Sequence, residues 1–375
     1  MGIQESRIIK AAVFRETGKA PVIENVTIGQ PADDEVLVRI VATGICHTDL
    51  SVRDQLLPMP LPAVLGHEGG GVVEAVGSNV TNVALGDHVI MSYAYCGSCD
   101  LCHSGHPAHC ENVLPQCFGG SRADGSTGIT DSAGALVHDH FFAQSSFAEY
   151  SLANMRNVIK VPKDLPLELL APLGCGLQTG AGAVLQALKV KPGSSFVAFG
   201  LGAVGLAAIM GAKIAGATKV IAVDINPERL KMAEEIGATH TINAKEADPV
   251  ATIGEITGKG ADFALEASGN PAVLRQAIDC LGIFGVCGIV GAPALGTEVN
   301  VDVMGVMIPG KMVKGIVQGD AVSSTFIPSL IEFYRQGRFP FDRLIKHYDF
   351  ADINQAIEDS ESGKTIKPVL RIGQP

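Results

Sequence analysis

"SSFVAFGLGAVGLAAIMGAKIAGATKVIAVD", residues 194–224, decides the fold. SSFVAFG reads as a strand, AVGLAAIMGAKIAG as a helix and KVIAVD as the next strand. At the first junction stand Gly200, Gly202 and Gly205, with Ala203 and Val204 opening the helix. A bare GxGxxG is weak in a chain with 44 glycines. Here it follows a strand, opens a helix and precedes Asp224, nineteen residues beyond Gly205. Gly200 then permits the tight turn, Gly202 lets a pyrophosphate approach the helix N-terminus, and Gly205 lets helix and strand pack closely.

Outward from this unit the alternation continues. PERLKMAEEIG and NPAVLRQAIDCL read as helices, ADFALEAS and GVCGIVG as strands. The pattern predicts an α/β architecture with a doubly wound parallel sheet over 178–320. Asp224, at a strand end, is placed to accept hydrogen bonds from both ribose hydroxyls and to repel a 2′-phosphate. The expected cofactor is therefore NAD rather than NADP. Residues 1–177 read instead as β-rich. In DEVLVRIVATGIC (34–46), Val36, Val38 and Ile40 alternate with Leu37, Arg39 and Val41. The segment 321–375 mixes two helices with a final strand, KPVLRI, and is expected to return to the first domain.

Composition narrows the function classes. The chain has 375 residues, 47% of them hydrophobic and 18% charged, enough for two cored domains. A net charge of −11 with no basic patch argues against nucleic acid. The apolar runs 192–212 and 280–297 approach membrane-spanning length, but glycine punctuates both, and buried parallel strands read the same way. No membrane partner is expected. The start MGIQESRIIKAAVF predicts no secretory leader. Gly2 and Ser6 fit the loose myristoylation pattern without a polybasic partner, so lipidation is not expected. Nine cysteines, several at short regular spacing, indicate metal ligation in a reducing, cytoplasmic setting rather than a disulfide framework.

Four of them, Cys96, Cys99, Cys102 and Cys110, lie in a lobe at about 96–110 at spacings of three, three and eight. That set closes a tetrahedral zinc shell and leaves no position for a substrate, so it is read as a structural staple. His103, His106 and His109 are read as solvated loop residues. A second set is scattered through GICHTDLS, GHEGGG and PLGCGLQTGAG. Cys46, His67 and Cys175 make a Cys₂His set whose fourth position is open to a small alcohol or aldehyde. Cys117, Cys280 and Cys287 read as packing.

At these residues the chain resembles the zinc-dependent alcohol dehydrogenases of the medium-chain dehydrogenase/reductase family. The resemblance runs from AAVFRETGKAPVIENV through GHEGGGVVEAVGSNV to SGKTIKPVL. It implies a GroES-like β-barrel catalytic domain, a Rossmann domain and a cleft between them. It implies catalytic zinc on Cys46, His67 and Cys175, with Asp49 orienting His67 and Glu68 behind the metal. It further implies that Thr48 takes the alcohol proton and that Thr179 lines the nicotinamide pocket. Arg229 would lie beside the adenosine ribose, with Lys367 and His47 near the pyrophosphate. CFGGSRADGST, HFFAQSSFAEY and LGCGLQTGAGAVL are most similar to aryl-alcohol (benzyl alcohol) dehydrogenases, which implies reversible oxidation of aryl or allylic primary alcohols. Ser51 departs from the family, where a histidine often ends the proton relay. The alternatives are an aliphatic-alcohol or polyol dehydrogenase, or a non-enzymatic zinc and nucleotide sensor or structural protein. A homodimer or homotetramer is expected, with VNVDVMGVMIPGKMV as a plausible association surface.

Overall fold

The computed structural model describes residues 6–374, so Gly2 lies outside the described residues. The chain divides into two compact units. One runs through Cys175 and takes back Val322–Pro328 and the chain from Leu344 onward; the other comprises Gly176–Ala321 and Ser329–Arg343.

The second unit is built on six strands. In spatial order they are His240–Asn243, Lys219–Asp224, Ser195–Phe199, Ala261–Glu266, Leu281–Ile289 and Met312–Gly315. Every neighbouring pair is parallel. Counted along the chain the order is 3-2-1-4-5-6, which reverses direction beside Ser195–Phe199, and the glycine turn follows that strand. Open sheets of this kind bind ligands at such a switch point. Ser195–Phe199 is buried along its whole length, as is Gly205–Ala212 of the helix Ala203–Ala215. The apolar run 192–212 is thus a covered strand and the helix on its face. Among the described residues no helix is long and apolar enough to cross a membrane.

The segment 321–375 does not return whole to the first unit, as the sequence suggested. The division falls inside the helix Ser323–Arg335, and Ser329–Arg343 joins the second unit. Phe339 and Phe341 are fully buried there, with Tyr334 4.9 Å from Phe341 between ring centroids. Arg338 donates to the Ile214 carbonyl at 3.4 Å, and Arg343 pairs with Glu235. Burying this apolar cluster outweighs any simple boundary in the sequence.

The first unit carries two sheets. Ala63–Val64, Arg7–Phe14, Val22–Ile28, Ile129–Thr130 and Leu136–Val137 form one. The other centres on Glu35–Gly44, which pairs with Gly69–Val76, Tyr150–Asn154 and Lys367–Arg371. Nine of the ten residues in Glu35–Gly44 are buried, so the alternation read from its sequence does not separate a wet face from a dry one. Arg39 alone is partly exposed, and it pairs with Glu74 at 2.8 Å.

Candidate active site

Three junctions between elements in the first unit bring the scattered ligands together. Cys46 caps the helix His47–Arg53 where it leaves the strand Glu35–Gly44. His67 lies between Ala63–Val64 and Gly69–Val76, and Cys175 follows the turn Ala171–Gly174. One ligand atom from each of Cys46, His67, Glu68 and Cys175 lies within 4.8 Å of the others.

Asp49 organises this cluster. Its Oδ2 accepts from the Cys46 backbone N–H at 2.8 Å. Its Oδ1 meets His67 Nδ1 at 2.9 Å and the Gly66 N–H at 3.2 Å. A carboxylate on Nδ1 fixes the proton there and leaves Nε2 as the basic nitrogen. His67 Nε2 is buried without a hydrogen-bond partner. Burial opposes charge on this imidazole, but the Asp49 carboxylate outweighs it and lifts the ring to about 10. A cation is therefore wanted at Nε2, either a proton or a metal. The hydrogen bond from Cys175 is the main influence pulling the Cys46 thiol well below its ordinary value. An orphaned imidazole nitrogen beside two sulfurs, one of them a thiolate, fits zinc.

Lys367 is a correction to the sequence reading. Its side chain is 3% exposed and its ammonium lies in the first unit, not free for a pyrophosphate. Nζ donates to Glu68 Oε1 at 2.8 Å, Glu68 Oε2 at 2.9 Å and the Ile45 carbonyl at 3.1 Å. Burial opposes the charge on Lys367, and Glu68 more than restores it. Lys367 thereby offsets the Glu68 charge beside the two sulfurs. Thr48 Oγ1 lies 3.7 Å from Cys46 Sγ, His47 is exposed, and Ser51 is buried in the same helix.

Two phenyl rings lie against His67 and a third packs on them. Phe142 stacks on the imidazole at 4.5 Å, Phe141 meets it edge-on at 5.2 Å, and Phe118 packs on both. Sequence reasoning did not single these rings out, although HFFAQSSF contains two of them. Gln144 was also missed. It is buried, donates to the His67 and Ser92 carbonyls at 2.9 Å each, and accepts from the Gly69 N–H at 3.2 Å.

The second cysteine cluster is independent of the first. Cys96, Cys99, Cys102 and Cys110 place their sulfurs within 4.8 Å of one another. Cys96 and Cys102 are 3.9 Å apart, Cys99 and Cys110 4.0 Å. A tetrahedral zinc shell sets its sulfurs at about 3.8 Å. Backbone N–H groups of Ser98 and Cys99 donate to Cys96 Sγ at 3.4 and 3.3 Å. Those of Cys96 and Asn112 donate to Cys110 Sγ at 3.2 and 3.4 Å. Such donors stabilise thiolate, and the Ser98 N–H is the main influence bringing Cys96 down to about 5. The sulfur cluster forms without His103, His106 or His109.

In the second unit Gly200 has φ +85°, which an L side chain rarely adopts. A Cβ on Gly205 would stand 1.9 Å from the Gly200 carbonyl oxygen, whereas one on Gly202 would meet open space. No side chain caps the helix Ala203–Ala215, so its first N–H groups remain available to an anion. Asp224 Oδ2 accepts from the Leu201 N–H at 2.6 Å, and Oδ1 from Ile225 and Asn226 at 2.7 and 2.9 Å. A carboxylate offers about four acceptor sites, so capacity for a ribose hydroxyl remains. Arg229 Nε is buried without a partner, a donor that a bound nucleotide can satisfy. Thr179, in the helix Gly176–Gly182, approaches Gln318 at 3.5 Å.

Residues 203–336 match the zinc-binding dehydrogenase family, and residues 32–163 the alcohol dehydrogenase GroES-like domain. Geraniol dehydrogenase of Castellaniella defragrans is 46% identical over 363 residues, 96% of this chain and 97% of that protein. The crystal structure of an alcohol dehydrogenase zinc-binding domain protein from Burkholderia ambifaria superposes with a TM-score of 0.97 at 59% identity. It covers 99% of this chain and 100% of its own. Benzyl alcohol dehydrogenase from Acinetobacter calcoaceticus gives a TM-score of 0.95 at 52% identity, covering 98% and 99%.

Proposed function

The chain belongs to the zinc-binding dehydrogenase family, as a zinc- and nicotinamide-dependent alcohol dehydrogenase, and we propose that its preferred substrates are aryl or allylic primary alcohols. The observation that carries this preference is the aromatic cluster beside the ligands: Phe141 and Phe142 against His67, with Phe118 packed on both. Phe118 is partly exposed and Phe142 6% exposed, and an aromatic surface there would favour flat, polarisable substrates over ethanol. Relatives named for geraniol and benzyl alcohol, at 46% and 52% identity, support the same reading.

The residues divide the work. Cys46, His67 and Cys175 hold one zinc, which supplies Lewis acidity toward the alcohol oxygen when bound. Asp49 keeps the His67 proton on Nδ1, and Lys367 holds the Glu68 carboxylate neutralised. The Thr48 hydroxyl receives the alcohol proton and passes its own onward. Cys96, Cys99, Cys102 and Cys110 hold a second, structural zinc. Gly200, Gly202, Ala203, Val204 and Gly205 receive the pyrophosphate, with Arg229 and Asp224 on the adenosine side. The Asp224 charge favours NAD by repelling a 2′-phosphate.

Self-association is supported by the outermost strand of the parallel sheet, Met312–Gly315, which is exposed along its length. Two thiol clusters that need reduced sulfur support a cytoplasmic setting. The decisive experiment is metal content together with kcat/KM for benzyl alcohol, geraniol, ethanol and sorbitol. Aryl and allylic substrates should lead; a higher value for ethanol than for benzyl alcohol refutes the preference.

A further inference from the structure

The turn that carries Phe141 and Phe142 is strained and heavily braced. Within residues 140–145, four side-chain-bearing residues have left-handed φ: His140 at +60°, Phe142 at +53°, Ala143 at +48° and Ser145 at +57°. Such a run persists only where its surroundings over-determine it. Buried polar groups hold its far end. Asn157 Nδ2 donates to the Phe142 and Ala143 carbonyls at 3.1 and 3.3 Å, and Ser145 Oγ donates to the Val64 carbonyl at 2.6 Å. Its near end is held by charge. His140 Nδ1 meets Asp139 Oδ1 at 2.5 Å, and Nε2 meets Glu35 Oε1 at 2.7 Å. Both ring nitrogens face carboxylates, so both carry protons and the ring is an imidazolium. Glu35 also receives Arg122 through two bonds, at 2.7 and 2.8 Å, and the Ala32 N–H at 2.8 Å. Asp139 Oδ2 accepts from the Gly128 N–H at 2.8 Å. His140 and the half-buried Arg122 thus balance Glu35 and Asp139, and Glu35, Arg122 and His140 line a cavity of about 740 Å³ that contains none of the cysteine ligands.

We infer that His140 is a positioning residue for His67: clamped between Asp139 and Glu35, it fixes the strained turn that stacks Phe142 on the imidazole and seats Gln144 beneath the His67 carbonyl. The clamp never touches the zinc cluster. It acts through a turn that, once released, relaxes toward ordinary φ values and withdraws the ring face from His67. Removing His140 also leaves Asp139, which is 3% exposed, without its cationic partner. The inference rests on His67 being a zinc ligand.

The test uses the zinc-loaded enzyme and two variants, His140→Gln and Glu35→Gln, the second in case the first does not fold. A chromogenic chelator follows metal release, and cobalt substitution reports ligand geometry at each site. The four-cysteine site is the internal control. The expected result is that one metal per chain leaves about tenfold faster, the range typical when groups behind a ligand are lost. Its cobalt spectrum should change while the second metal leaves at the native rate. Unchanged release and spectrum in a folded variant overturn the inference. So does equal acceleration at both sites alongside a lowered Tm, which marks a merely structural role. If the unaltered enzyme releases metal from the four-cysteine site alone, the assignment of His67 as a ligand fails first, and the inference falls with it.

Discussion

At Thr48 the chemistry needs a hydroxyl that gives up one proton as it takes another. The hydroxyl stands 3.7 Å from the Cys46 sulfur, on the first turn of a helix anchored by Asp49. Ser51, one turn on, is buried and has a hydroxyl that does not titrate near neutrality, so it can hand a proton along but cannot act as the terminal base. Thr48→Ala should therefore lower kcat about a hundredfold or more, the usual worth of a positioned acid–base group, while Ser51→Ala is nearly silent. Profiles of kcat against pH, with a deuterated alcohol to expose hydride transfer, check this. Equal losses in the two variants would make Ser51 an essential station and end the reading. Short spacing made the four-cysteine lobe legible in the sequence, whereas Cys46 was marked by its part in a scattered Cys₂His set and Thr48 and Asp49 by the family resemblance. Lys367 was not legible, because its partner Glu68 lies 299 positions away and only folding shows the ammonium buried against it.

Elements differ in how much of themselves they disclose. The strand, glycine turn and helix at 194–216 were readable because periodicity, turn chemistry and Asp224 agree. The strand His240–Asn243 and helix Pro249–Thr257 were passed over, since a four-residue strand at the sheet edge is too short and polar to show a period. The turn at 140–145 was invisible for another reason: nothing in HFFAQS announces positive φ without glycine. The lobe at 96–110 makes a clean elemental prediction. Cys99→Ser should lower Tm or association with modest loss of turnover per folded chain, because a structural zinc contributes folding free energy directly. Cys46→Ser should abolish turnover in a folded protein; loss of activity from Cys99→Ser in a stable, assembled enzyme would contradict the division of labour. The clamp beneath the turn adds a pH window. Burial opposes the charge on His140, but Asp139 and Glu35 raise the ring to about 9. Its contribution to stability is thus complete below the unfolded value near 6.5 and disappears as pH rises through 9. Burial opposes the Glu35 charge, but His140 and Arg122 lower the carboxyl to about 2. Its contribution is complete above about 4.5 and is lost as pH falls toward 2. Between roughly pH 4.5 and 6.5 both act in full, so the native-minus-His140→Gln difference in Tm should be largest there and shrink toward pH 9. A difference that grows with pH would contradict it.

For the whole molecule, the two-unit organisation was legible as a change of texture near residue 178, whereas the division at Pro328 inside a helix was not. The remaining question at this scale is what covers the far edge of the parallel sheet. Ile283, Phe284, Met307, Ile308 and Met312 are each more than half exposed. Backbone contacts bring their segments together. The Phe284 N–H donates to the Pro309 carbonyl at 2.8 Å, and Met312 pairs with Val286 in the sheet. A soluble monomer rarely leaves such apolar groups uncovered, and the outermost strand beside them, paired on one side only, offers backbone donors and acceptors as well. A second copy would supply the same edge in return, and a two-fold axis would make the contact self-complementary. The double substitution Phe284→Asp and Ile308→Asp places like charges on both copies of that surface. It should lower the sedimenting mass by at least half, toward the 39.0 kDa of one chain, while the metal content of each chain is retained. Native enzyme that already sediments as a single chain would leave this patch without its proposed partner.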